Sequence, residues 1–379
     1  MYLGERIRLY PTDEQLRQFK QFCGASRFAY NECLAYRIDE HKNKGKSVNV
    51  QGMIEHLQDL KYNNVDYVWL CNVPEAITKQ AIKDLDKAYK SFFKRGNKGF
   101  PKFKRKGKCT ESFYQRTDKF RMPDEMHIKI TGIKEPVRIK RHDIISTVKN
   151  PYIVFDDRFW YFTYAKEVQE ETQSQSNEII GIDLGIKDLA VTSDNKHYAN
   201  INKSKHVKQL NKRKKRLQSK LSRKYQMNKQ GTKFIKTNNI KKLEKELRLL
   251  DRKLANIRKT YNHNVTKDLV RAKPKVIVIE DLRVSNMLKN KHLSQSIAEQ
   301  GWYQIRQMLG YKCKLNGINL IVADKFYASS KLCSCCGNKK VDLQLSDRTY
   351  HCSICGTVVD RDYNAALNLK KYGETKITA

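Results

Sequence analysis

The sequence predicts a multidomain α/β protein: a small β-barrel-like domain interrupted by a helical insertion, then an α/β domain carrying an inserted cysteine ribbon. Three observations predict it. Strand-like alternation at the N-terminus and again from Ser112 to Glu167 is separated by a long stretch of helical periodicity. After a polar segment, apolar strand-like runs alternate with long helical patterns. Five of the ten cysteines crowd into 333–355.

In "GERIRLYPTDEQLRQF", Ile7 and Leu9 fall on one side of a strand that Pro11 ends. Thr12 and Gln15 then form a capping box, and Leu16, Phe19, Phe22 and Cys23 line one helical face. Helical text runs to about Arg95, clearest in "NVPEAITKQAIKDLDKAYKSFF", until glycines, lysines and Pro101 end it. "MHIKITGI", "VRIKRHDII" and "PYIVFDDRFWYFTYA" read as short strands, with Asp156–Asp157 as a hairpin turn.

"KEVQEETQSQSNE" reads as a linker. "IIGIDLGIKDLAVTSDNKHYAN" reads as a three-strand meander, and residues 203–270 as mostly helix. There Leu243, Leu247, Leu250, Leu254, Ile257 and Tyr261 follow a coiled-coil-like spacing. "PKVIVIEDL" is a buried strand, 292–315 a helical region and "INLIVADK" another strand.

A formal net charge of +36 over 379 residues costs self-repulsion unless a polyanion neutralises it. Nucleic acid is the natural partner, because each phosphate contact releases counterions. "NKRKKRLQSK" concentrates that charge: Lys212, Arg213, Lys214, Lys215 and Arg216 form a one-signed face that fits a nucleic-acid backbone or, more blandly, simply faces water. A cationic membrane-surface protein is the alternative class, but no run of about 18 apolar residues and no leader pattern is present. The expectation is a soluble, cytoplasmic, nucleoid-associated protein with no membrane partner. Hydrophobic residues at 39% exclude a disordered chain.

Three acids stand out by position. Asp183 interrupts the apolar run "IIGIDLG", Glu280 ends "VIVIEDL", and Asp362 opens the helix "DYNAALNL". A charge in such a run is costly unless paired or metal-bound. Any one of them alone fits a strand-end cap or salt bridge. Together they make an all-oxygen set suited to Mg²⁺ or Mn²⁺, on the element order of ribonuclease-H-like nucleases. Gly185 beside Asp183 permits close approach of backbone or ligand.

Cys333-x2-Cys336 and Cys352-x2-Cys355, fifteen residues apart, carry the spacing of a structural Zn²⁺ ribbon, with Cys335 left over. The chain is neither short nor leader-bearing, so a disulfide scaffold does not fit. Cys23, Cys33, Cys71, Cys109 and Cys313 are expected to be buried and reduced.

Taken in order, "RLYPTDEQ" with "ASRFAYNECLA", "LDKAYKSFFKRGNKGFPKFKRK", "GIDLGIKDLAV", "VIVIEDLRVSNM", "SSKLCSCCG…YHCSICG" and "DRDYNAALN" resemble the TnpB (OrfB) family over nearly the whole chain. These are accessory proteins of single-stranded-DNA insertion sequences, related to type V CRISPR effectors. The resemblance implies an RNA-guided DNA endonuclease that binds guide RNA from the element and cleaves double-stranded target DNA beside a short flanking motif. It implies a metal-binding triad of Asp183, Glu280 and Asp362, with Asp360 merely preceding the last. It implies a wedge-like β-barrel at 1–11 and 101–168, a helical recognition lobe at 12–100, a linker at 169–177, a RuvC-like nuclease domain at 178–379 and a zinc-ribbon insertion at 325–359. One otherwise monomeric protein per RNA is expected.

By the same resemblance, residues 48–80 and 113–119 would read the flanking motif, with Gln51, Lys79 and Thr117 as readers, although Lys79 also fits a plain phosphate contact. The loop "GFPKFKRKGK" alternates Phe100 and Phe103 with Lys102, Lys104 and Arg105, a pattern suited to unpaired RNA; the same alternation fits rings buried in the barrel. Three other readings compete: a guide-free RuvC-like nuclease or transposase, an RNA-guided DNA-binding regulator without cleavage, and a zinc-ribbon transcription factor.

Overall fold

The structure, a computed structural model, describes residues 1–94, 99–170, 176–282, 284–290, 292–344 and 347–378. It divides into two units, Met1–Val168 and Gln169–Ala379. Part of the expected linker, residues 171–175, lies outside the described residues.

Unit 1 begins with strand β1 (Tyr2–Tyr10) and helix α1 (Asp13–Lys44). Thr12 accepts from the Gln15 backbone N–H, and the Gln15 side chain accepts from the Thr12 N–H, closing the capping box. Helices α2 (Val50–Asn63) and α3 (Glu75–Phe93) follow, then β2 (Glu111–Tyr114), β3 (Arg121–Asp124), β4 (His127–Lys129), β5 (Val137–Ile139), β6 (Lys149–Phe155) and β7 (Trp160–Glu167). Asp156 shapes the β6–β7 hairpin by accepting from the Phe159 N–H at 2.9 Å, and Asp157 takes φ 70°. Phe19 and Phe22 of α1 meet Phe113 of β2 edge-on, and Phe19 also meets Trp160 of β7, joining helix to sheet.

The strand order is β2-β6-β7-β1-β5-β4-β3. The expected barrel is therefore an open half-barrel, with β2 and β3 as unjoined edges. The cause is visible in β1: it pairs with β7 from Tyr2 to Leu9, but with β5 only at Leu9 and Tyr10, so the sheet diverges there.

Unit 2 opens with the meander β8 (Ile179–Asp183), β9 (Asp188–Thr192) and β10 (His197–Ala199). The helical hairpin α4 (Lys205–Met227) and α5 (Asn238–Arg271) follows, with a small ladder of β11 (Lys229–Gln230) and β12 (Lys233–Phe234) at its tip. Then come β13 (Val276–Ile279), α6 (Val284–Met287), α7 (Ser294–Gln300), α8 (Trp302–Leu315), β14 (Asn319–Val322), the ribbon strands β15 (Thr349–His351) and β16 (Val358–Asp360), and α9 (Arg361–Thr378).

The main sheet runs β10-β9-β8-β13-β14, with β8, β13 and β14 parallel. Strand alternation splits β13 between two cores. Ile277 and Ile279 join Leu269 of α5 and Leu309 of α8, while Val276 and Val278 join Leu369 and Tyr372 of α9. In the hairpin, Leu250 and Leu254 cluster with Val207 and Leu210, whereas Tyr261 belongs to the sheet core and donates to the Ala199 carbonyl at 2.6 Å. Among the described residues no helix is long and apolar enough to cross a membrane.

Candidate active site and cysteine ribbon

Asp183 is the last residue of β8, and Glu280 directly follows β13. The strands are parallel with Ile182 opposite Ile279, so the next residue on each, one carboxylate apiece, emerges side by side at the sheet's carboxyl edge. Burial and then the charges of Glu280 and Asp362 push Asp183 well above the usual carboxylate range. Glu280 is also raised, by burial first, against the downward pull of hydrogen bonds from Ser329 and Asp183.

Asp362 comes from the opposite side, in the first turn of α9, and is only 8% exposed. It arrives there because α9 lies directly on β8. A Cβ on Gly181 would sit 2.1 Å from the Ala366 carbonyl oxygen and 2.5 Å from the Lys370 nitrogen, so only glycine admits the helix. Sequence reasoning marked Gly185 for close approach. A Cβ on Gly185 would sit 3.1 Å from the Asp188 carbonyl oxygen, but the closer approach is at Gly181.

The two aspartates of "DRD" have different surroundings. Asp360 Oδ1 accepts from the backbone N–H of Asp362 (2.9 Å) and Tyr363 (3.1 Å), capping α9. The Arg361 guanidinium reaches Asp362 Oδ1 at 3.2 Å.

The four cysteines Cys333, Cys336, Cys352 and Cys355 hold their sulfurs within 4.8 Å of one another. Among the described residues they alone form so tight a ligand set; the three carboxylates do not, and Asp362 pairs with Arg361. Two matching turns build the cysteine set: Gly337 donates to the Cys333 carbonyl and Gly356 to that of Cys352, at φ 78° and 71°. Thr357 holds the Cys355 thiol down at about 6. Cys335 is exposed and outside the set. Of the scattered cysteines, Cys23, Cys33 and Cys313 are buried, but Cys71 is exposed and Cys109 half-buried, contrary to expectation.

Sequence reasoning missed how the ribbon is joined to the acids. Ser329, buried, donates to Glu280 Oε1. Asn368 of α9 donates to the Ser329 and Leu332 carbonyls (2.8 and 2.7 Å), and Asn364 donates to Leu332 and accepts from the Ser334 N–H (2.7 and 2.9 Å). The helix that carries Asp362 thus also clamps the ribbon's root. The only sequence signal was asparagine at i and i+4 in "DYNAALNL".

The residues expected to meet nucleic acid are scattered. Gln51 donates to Glu55 at 2.9 Å, Lys79 pairs with Glu75 at 2.9 Å, and Thr117 lies 3.2 Å from the Tyr114 hydroxyl; all three belong to unit 1. Phe100 and Phe103 are 44% and 52% exposed, so they are not barrel-core rings. Lys102 and Arg105 are exposed. Lys104 is not an open cation. Its ammonium lies 3.8 Å from the Tyr30 ring centroid, Asn31 brackets its backbone, and burial lowers its pKa. On α4, Arg213 and Lys214 pair with Glu246 and Asp251 of α5, each at 2.7 Å, while Lys212, Lys215 and Arg216 are exposed.

Three family models match in chain order: an OrfB helix-turn-helix domain over residues 1–46, an OrfB "Probable transposase" over 161–291, and a Cas12f1-like TNB domain over 302–369. Within 1–46 this chain forms a strand and one long helix. Taken together, two OrfB models and a Cas12f1-like domain in this order point to a transposon-associated protein of OrfB type. The matches support a TnpB-type protein. The chain is 29% identical to "Putative RNA-guided DNA endonuclease InsQ" of Escherichia coli K12, over 97% of this chain and 91% of that one. It is 28% identical to a "Putative RNA-guided DNA endonuclease" of Streptomyces pristinaespiralis, over 97% and 88%. Its fold is similar to Cas12f1 in a complex with guide RNA and target DNA, at TM-score 0.57 and 15% identity, over 95% and 83%.

Proposed function

We propose that this protein is an RNA-guided DNA endonuclease of an insertion sequence, with Asp183, Glu280 and Asp362 as its catalytic acids. One observation carries the reading. The parallel strands β8 and β13 bring Asp183 and Glu280 side by side, and α9, packed on β8, brings Asp362 to the same sheet edge. Acids so gathered and enclosed call for a cation, and their all-oxygen donor set fits Mg²⁺ or Mn²⁺. Such ions would supply activation of a water and stabilisation of the leaving oxygen in phosphodiester hydrolysis.

Asp183, Glu280 and Asp362 would hold the ions, with Ser329 fixing the Glu280 carboxylate and Arg361 lying beside Asp362. The four thiolates fit a closed tetrahedral Zn²⁺ site that is structural. Residues 178–379 form the RuvC-like domain in this reading, with 325–359 as its ribbon. Residues 1–11 and 101–168 form the wedge, and 12–100 the recognition lobe. Guide RNA pairs with the target, while the protein reads only a short flanking motif. A non-cleaving regulator would keep the basic surfaces and lack one of the acids; all three are present.

The test is to purify the protein from cells, sequence its bound RNA and assay cleavage of a matching target. Asp183→Ala, Glu280→Ala and Asp362→Ala should each abolish cutting with guide and target binding retained. Asp360→Ala should lose a helix cap, about 1 kcal/mol of stability, and still cut. A cutting Asp362→Ala beside an inert Asp360→Ala would reverse the assignment.

A further inference from the structure

Glu280 stands on the wall of two cavities. One, of about 380 Å³, lies toward Ser329 and is rimmed by Asp324 and Lys325. The other, of about 330 Å³, lies toward α8. Its lining includes Leu184, Leu282 and Trp302, with Tyr303 and Arg306 from α8 and Glu280 itself.

The second cavity combines features that the fold does not need. Tyr303 is 65% exposed, a large ring left in water beside the reacting centre. Its hydroxyl is held by the Gln307 side chain at 2.9 Å. Arg306 lies one helical turn on and donates to Asp281 at 2.6 Å with one arm of a five-donor fork. Trp302 is buried, and its indole N–H has no acceptor among the described residues. A ligand for this space needs a flat apolar face, hydrogen-bond acceptors and a place beside a phosphate held at Glu280. A nucleobase has all three.

We propose that this cavity seats the nucleobase adjoining the scissile phosphate, with Tyr303 stacking on it and Arg306 fixing its edge or its phosphate. The proposal rests on the nuclease reading of Glu280. Stacking serves every base alike, so the seat is indifferent to base identity. Its function is to hold the strand still while the neighbouring phosphate reacts.

The experiment uses the RNA-loaded protein and target DNA with a single abasic nucleotide walked along both sides of the mapped cut. Wild type should lose roughly tenfold in cleavage rate at one position. Tyr303→Ala should lose about as much on intact DNA, bind target normally, and lose nothing further at that abasic position. Tyr303→Phe should keep the rate. Uniform cleavage of all abasic targets, or losses that multiply in the double perturbation, would overturn the seat. Occupancy is also read without cutting, by 2-aminopurine at the same positions. Quenching in wild type, relieved by Tyr303→Ala, supports the seat even in a complex that does not cut, and failure to cut sinks only the nuclease reading. A cutting complex with no quenching at any position overturns the seat alone.

Discussion

Ser329, at the root of the cysteine ribbon, donates its hydroxyl hydrogen to Oε1 of Glu280 at the end of β13. The bond lowers the pKa of a carboxyl that burial raises. Removing the donor raises Glu280 further, so the ionised form is reached only at higher pH. Ser329→Ala should shift the acidic limb of the cleavage profile to higher pH, raise the Mg²⁺ needed for half-maximal rate and slow cutting about tenfold at neutral pH, as expected for losing a hydrogen bond to a charged group. Ser329→Thr should restore most of it. A pH–rate profile identical to wild type would remove Ser329 from the site.

The acids also set the stability of the metal-free protein. Asp183 and Glu280 are both raised on folding, so the folded chain binds more protons than the unfolded one. That contribution is full below the ordinary carboxylate range and is lost as pH rises through the raised values. Asp183→Asn removes the repulsion. In EDTA at pH 7.5 its Tm should rise by about 3 °C, from about 1 kcal/mol in a unit this size, and the gain should shrink toward pH 4. A variant that melts at or below wild type at both pH values would contradict the burial described.

For the ribbon, purified protein should contain about one zinc per chain. Cys335→Ser should keep it, because that thiol stands outside the four-sulfur set, and Cys336→Ser should lose it. Metal analysis giving the reverse ranking would move the ligand register by one residue.

The aromatic loop now separates into two roles. Replacing Lys102 and Arg105 with Ala should weaken RNA binding and flatten its salt dependence by about 1.5 in log–log slope, two phosphate contacts' worth. Lys104→Ala should instead cost thermal stability, about 1 kcal/mol for its contact with Tyr30, with the salt slope nearly unchanged. Equal effects of all three on RNA affinity would show that Lys104 leaves Tyr30 when RNA binds.

Lys79 pairs with Glu75 on an exposed face of α3. In a motif-depletion assay, Lys79→Ala should change which flanking bases permit cutting, as for a side chain that reaches base edges. A uniform loss across all motifs would reassign it to a phosphate.

What the sequence discloses here depends on how local the physics is. Asp183, Glu280 and Asp362 are legible because each breaks an apolar run or opens a helix, and their neighbours alone make them conspicuous. The cysteine spacing is legible because each knuckle closes within five residues. Lys104 reads like Lys102 and Arg105; Tyr30 and Asn31, far back in α1, make it different. Ser329, Asn364 and Asn368 look like ordinary polar residues until the backbone carbonyls they meet are known. The open edge of the seven-stranded sheet rests on where β1 parts from β5, a long-range register that no short window contains.

The seating of α9 against Gly181 has a consequence for synthesis. A ribosome makes β8 and β13 before the helix that carries Asp362, so for a time the nascent chain has both strand acids and no third. A stop codon placed after α5 and before Asp362 would release a product with unit 1 and the basic hairpin intact. Such a product is expected to hold guide RNA without cutting and to compete with the full-length protein. Co-expression of the two, read as falling cleavage at constant RNA, would reveal a dominant-negative allele that needs no change in any acid.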